Sequence, residues 1–70
     1  MTIGQNIKNQ RKKAKLTQTK TAIELETDQT QISRIENDKA EFTMLQLKKF
    51  CELTNSSADK ILEIKTYKQN

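Results

Sequence analysis

The sequence has no proline, no histidine and no tryptophan, and it has one glycine (Gly4) and one cysteine (Cys51). Each shortage excludes something. Without proline and with one glycine, few of its turns can rely on residues with special backbone freedom. A single cysteine forms no internal disulfide, and with no histidine beside it no zinc-ligand pattern remains, so no metal or other cofactor is expected. No apolar run approaches the roughly 18 residues of a membrane span. The opening MTIGQNIKNQRKK lacks the apolar stretch of a signal peptide. Cys51, between Phe50 and Leu53, has no nearby thiol to pair with, and a buried structural thiol is its expected role. These features fit a reduced, cytoplasmic setting.

Apolar material is scarce as well: 33% of the 70 residues are hydrophobic. One small domain over residues 1–70, with a modest core and marginal stability, is the expectation. Catalysis finds little support. Glu24 and Glu26 form an acidic pair, but no base, nucleophile or phosphate loop accompanies them. An enzyme is not expected.

What the chain does have is Lys, Gln, Glu, Leu, Ile and Ala, which mostly suit helices, and threonines placed where helices should start. Its net charge of +4 is unevenly spread. Residues 1–20 hold Lys8, Arg11, Lys12, Lys13, Lys15 and Lys20 and no acid. Residues 21–41 hold six acids against Arg34 and Lys39, and residues 42–70 hold five lysines against three acids. The basic N-terminal stretch is a positive arm or face that could meet a polyanion, although lysine-rich ends are common on soluble proteins. It lacks the bulky apolar face that would turn it toward a membrane surface.

Five helices can be read from their starts. Thr2 with Gln5, and Thr43 with Gln46, have the spacing of capping boxes, in which a hydroxyl accepts a first-turn N–H and the glutamine reaches back to another. Thr17, Asp28 and Ser57 are N-cap residues by type. The expected helices cover 3–13, 18–25, 29–37, 44–53 and 58–65, with Ile3, Ile7 and Ala14 on one side of the first. Residues 66–70 are expected to fray.

Between 18 and 37 the apolar residues are spaced as two short helices and a tight turn require. Ala22 is small enough to let two helix backbones approach. Ile32 and Ile35, three apart, share one helix face, which Leu25 and Leu16 can meet. The opposite face displays Gln29, Thr30, Ser33 and Arg34. Glutamine can pair with adenine, arginine with guanine, and hydroxyls with several bases. The plainer reading is an ordinary polar face, although such faces more often carry Glu and Lys pairs.

The segment TQTKTAIELETDQTQISRIENDK resembles the Cro/repressor-type, Xre-like helix-turn-helix family. The strongest matches are Leu16-Thr17-Gln18, Ala22, Leu25, Gln29, the run Ile32-Ser33-Arg34-Ile35-Glu36-Asn37, and Lys39; in outline the likeness runs from Ile3 to Leu62. The resemblance implies an all-α, compact five-helix, lambda-repressor-like DNA-binding domain, bacterial or phage-encoded and nucleoid-associated when bound. By position it implies that Gln29, Thr30, Ser33 and Arg34 read bases, and that Gln18, Asn37 and Lys39 meet the DNA backbone. It also implies that Arg11 and Glu36 form a partly buried ion pair joining the first helix to the third. The chain departs from the family pattern too. Glu26 and Asp38 stand where glycine is usual. Thr21, Thr27, Thr54 and Ser56 stand where apolar residues are usual, and Ile23 stands where a polar one is.

Ala58, Ile61 and Leu62 begin an apolar stripe that Ile64 and Tyr67 extend. The first part is expected to close the core. Ile64 and Tyr67 form a candidate dimer patch, as does Leu45. The expected function is that of a sequence-specific transcriptional regulator, a homodimeric repressor. It would read successive major grooves of two-fold symmetric double-stranded DNA with helix 29–37. The competing reading is an antitoxin-like module that neutralises a protein partner, with or without binding DNA. The few residues after Leu62 leave little room for an extensive partner segment.

Overall fold

A computed structural model of the protein describes residues 1–62. Five helices follow one another: α1 (Ile3–Lys13), α2 (Gln18–Glu24), α3 (Gln29–Glu36), α4 (Met44–Thr54) and α5 (Ala58–Leu62). No strand occurs among the described residues, so the all-α expectation holds. The ends of α1 to α4 fall within one residue of those read from the sequence.

Each helix starts where a side chain can accept an otherwise orphaned N–H. Thr2 and Gln5 close a reciprocal box at α1, with bonds of 3.1 and 3.0 Å. Thr43 and Gln46 repeat it at α4, at 3.0 and 3.1 Å. Thr17 accepts from Lys20 N at 3.0 Å and Asp28 from Gln31 N at 2.8 Å. The Ser57 hydroxyl accepts from Lys60 N at 3.2 Å.

The helix ends show how a chain so poor in glycine turns corners. After α1, Leu16 N donates to Arg11 O (3.1 Å) and Lys15 N to Lys12 O (2.9 Å), and Lys15 adopts φ 60°. After α2, Thr27 N donates to Ala22 O and Glu26 N to Ile23 O, with Glu26 at φ 59°. After α3, Lys39 N donates to Arg34 O and Asp38 N to Ile35 O, with Asp38 at φ 63°. The same paired closure, normally built around glycine, thus recurs three times without one. Asn55 ends α4 at φ 55°. Asp and Asn tolerate this region, whereas at Lys15 and Glu26 it costs about 1–2 kcal/mol each.

Gly4 serves another purpose. It carries no positive φ; it lies in the first turn of α1 against the end of α3, and its N–H donates to Asp38 Oδ1 at 2.9 Å. A Cβ there would stand 2.6 Å from two backbone carbonyl oxygens, those of Ile35 and Glu36.

The core gathers Ile7, Leu25, Ile35, Phe50 and Ile61, flanked by Ala40, Phe42, Leu47, Cys51, Leu53 and Leu62. Phe42 and Phe50 stack tilted with ring centres 5.2 Å apart. α1 packs against α3, α4 and α5, so it is the spine of the fold. Thr21 is fully buried at an apolar position, and its hydroxyl donates to Thr17 O at 2.9 Å, leaving its methyl to the core. The Thr54 hydroxyl donates likewise to Phe50 O at 2.8 Å. At Thr21 and Thr54 the hydroxyl is thus satisfied by a carbonyl one turn back.

Ile3 is half exposed instead of sharing the buried side of α1 with Ile7. Cys51 is half-buried, less enclosed than expected. Burial, and then the Glu52 carboxylate beside it, push its thiol pKa up, which disfavours the reactive thiolate. Among the described residues no helix is long and apolar enough to cross a membrane, and no group of side chains is arranged to hold a metal ion.

Candidate nucleic-acid interface

The α2–α3 pair is held together by a small set of buried residues. Ala22, Leu25, Ile32 and Ile35 are each at most 3% exposed. Ala22 presents only a methyl group, so the two helices approach closely across the turn that Glu26 and Thr27 make. Turning Ile32 and Ile35 inward forces the rest of α3 outward, because helical side chains three and four apart share a face. Gln29, Thr30 and Arg34 are exposed and Ser33 is half-buried.

The C-terminal end of α3 folds back on itself. Asn37 Nδ2 donates to Ser33 O at 2.8 Å. Arg34 Nη2 donates to Lys39 O at 3.2 Å, and Lys39 N returns a bond to Arg34 O at 2.8 Å. Asn37 and Lys39, both exposed, therefore flank the same outward face as Arg34.

Beneath this face lies a polar network. Arg11 Nε meets Glu36 Oε2 at 2.6 Å and Arg11 Nη2 meets Glu36 Oε1 at 3.2 Å, with the two side chains 9% and 2% exposed. Arg11 Nη1 also donates to Leu16 O at 2.7 Å. The guanidinium so ties α1 to α3 and to the loop entering α2. Gln18 Nε2 donates to Glu36 Oε1 at 3.0 Å, and Gln29 Nε2 donates to Gln18 Oε1 at 3.1 Å. Such a pair is stable only when its remaining atoms are satisfied. Among the described residues no buried side-chain N or O atom lacks a partner.

The surrounding acids are partly offset. Glu24 pairs with Lys20 at 3.2 Å and Glu26 with Lys49 at 3.5 Å. Both pairs are exposed, so they add little to stability.

The structure thus brings Arg11, Gln18, Gln29 and Glu36 into one connected group, with Thr30, Ser33, Arg34, Asn37 and Lys39 on the adjoining surface. Ile64 and Tyr67 lie outside the described residues. The sequence reading gave Gln18 a role at the DNA backbone and missed its bonds to Glu36 and Gln29. One signal was available: Gln18 and Gln29 each follow an N-cap residue, so both occupy the first position of their helices.

Residues 4–65 match a family model described as a helix-turn-helix domain. No curated protein and no solved structure matches the chain. The family match contains both α2 and α3 and the turn between them, and the chain belongs to the helix-turn-helix domain family, a family of DNA-binding domains.

Proposed function

We propose that the chain is a single domain over residues 1–70 and acts as a sequence-specific transcriptional regulator in the cytoplasm of a bacterial or phage-infected cell. It binds two-fold symmetric duplex DNA as a homodimer and represses by occupying a promoter. α3 enters the major groove, where Gln29, Thr30, Ser33 and Arg34 meet base edges; Gln18, Asn37 and Lys39 set register on phosphates. The observation that carries this reading is the division of α3. Ile32 and Ile35 are sealed in the core, while Gln29, Thr30 and Arg34 project polar groups that no packing role requires.

Support for the dimer comes from the first turn of α4. Met44 and Leu45 are 84% and 63% exposed there. Lys48 and Glu52, one turn apart beside them, form no ion pair among the described residues. Two α4 helices crossing antiparallel about a two-fold axis would bury the apolar pair and set each Lys48 against the other copy's Glu52. An antitoxin-like protein would use such a patch for a different partner.

Selection of bound sequences from random duplex DNA tests the proposal, together with sedimentation of the free protein. A two-fold symmetric motif and a dimer are the expected results. A monomer that enriches no motif would instead point to the partner-binding reading.

A further inference from the structure

We propose that Glu36 is a positioning residue that sets the hydrogen-bonding polarity of Gln29, acting through Gln18, and thereby determines which base Gln29 prefers. The inference rests on the base-reading role proposed for Gln29.

The argument turns on which atoms can donate. A glutamine carboxamide has a donor end and an acceptor end of nearly equal shape, so its orientation must be imposed by a neighbour. A carboxylate only accepts. Glu36 is held by the Arg11 guanidinium, which only donates, at 2.6 and 3.2 Å. Its Oε1 faces Gln18 at 3.0 Å, so Gln18 must turn its –NH2 inward. That leaves Gln18 Oε1 to accept from Gln29, which must offer its own –NH2 across 3.1 Å. The outward edge of Gln29 then carries its carbonyl oxygen and one remaining N–H. One acceptor beside one donor is the complement of adenine, which shows N6–H and N7 in the major groove.

The direction of the whole chain therefore originates in the charge on Glu36. Reversing it requires only that one end be exchanged. In Glu36→Gln, the Arg11 nitrogen at 2.6 Å keeps the carboxamide oxygen, and the new –NH2 turns toward Gln18, giving up the longer Arg11 Nη2 bond of 3.2 Å. Gln18 must then accept, so its –NH2 faces Gln29, whose oxygen turns inward. Gln29 is left showing two N–H donors, the complement of the N7 and O6 acceptors of guanine. A buried residue with no path to the DNA would thus change a base preference.

The test is selection from random duplex DNA with four proteins: the wild type, Gln29→Ala, Glu36→Gln and Gln18→Leu. Gln29→Ala locates the motif column that Gln29 reads. In Glu36→Gln that column is expected to lose its adenine preference about tenfold and move toward guanine, with the Arg34 column unchanged. In Gln18→Leu, where the relay is cut and Gln29 turns freely, the same column is expected to flatten. Circular dichroism identifies any variant that fails to fold. Because Gln18 also meets a phosphate in the proposed complex, Gln18→Leu is read as the Gln29 column relative to the Arg34 column, and so read it decides the matter if Glu36→Gln does not fold. The proposal is overturned if that column keeps its adenine preference relative to the Arg34 column in the folded variants, or if every column of Glu36→Gln weakens together. A wild type that enriches no motif would overturn base reading itself, an outcome distinct from failure of the relay.

Discussion

Gly4 and Glu36 meet backbone to backbone: a Cβ built on Gly4 would lie 2.6 Å from the carbonyl oxygen of Glu36. The Ile35 carbonyl is equally near, and neither oxygen can rotate away. Alanine in place of a helical glycine ordinarily adds up to about 1 kcal/mol. Here overpacking against the end of α3 costs about 1–3 kcal/mol. Gly4→Ala is expected to lose about 1–2 kcal/mol net, read as a lower urea midpoint. An unchanged or higher midpoint would mean that α1 slides freely over α3.

Arg11 and Glu36 are expected to behave as a unit. Arg11→Met leaves the Glu36 carboxylate buried without its partner and should cost about 3–5 kcal/mol, enough to unfold much of a small domain. Adding Glu36→Met to the same chain removes the stranded charge, and most of the loss should return. Thermal melts of the single and double variants check this. A double variant as unstable as the single one would assign the pair's importance to its hydrogen bonds with Leu16 and Gln18.

Glu26 is a site where stability is open to increase. Glycine relieves the φ of 59° at the cost of an exposed contact to Lys49 at 3.5 Å. Glu26→Gly should stabilise by about 1 kcal/mol. Asp38 has nearly the same backbone angle, yet Asp38→Gly should gain nothing, because its carboxylate accepts from Gly4 N at 2.9 Å. Comparing the two melts separates backbone strain from side-chain contacts.

Among the described residues the Arg34 side chain is free of the core and is held by one exposed bond to Lys39 O. Arg34→Ala should therefore leave the melting temperature nearly unchanged. It should weaken binding to selected DNA by about 1–3 kcal/mol and relax preference at one base pair. Equal losses on selected and random duplexes would reassign Arg34 to the DNA backbone.

Helix starts were the most legible feature of the sequence, because a cap needs only one hydroxyl or carboxylate beside its own backbone. Thr2, Thr17, Asp28, Thr43 and Ser57 all act where their types predicted. The inward set Ala22, Leu25, Ile32 and Ile35 was legible from helical spacing. Glu26 and Asp38 were marked as standing where glycine is usual, and both are left-handed, but Lys15 was not marked, since nothing local identifies a lysine as the end of a helix. Nor did the sequence announce why its one glycine stands at position 4. That reason lies about thirty residues away, in carbonyls every residue possesses. The relay from Arg11 to Gln29 was half visible: charges of opposite sign suggest each other, whereas two glutamines suggest no direction.

Asn6 donates to Ile61 O at 2.9 Å, a bond between residues 55 apart that is buried where α1 meets α5. Its consequence concerns the route of folding. Contacts between α2 and α3 join residues near in sequence, but closing α1 on α5 must gather nearly the whole described chain into one loop. The α1–α5 contact is therefore the one whose closure costs the most chain entropy. Until that loop closes, Asn6 lacks its buried partner and the core around Phe50 lacks Ile61.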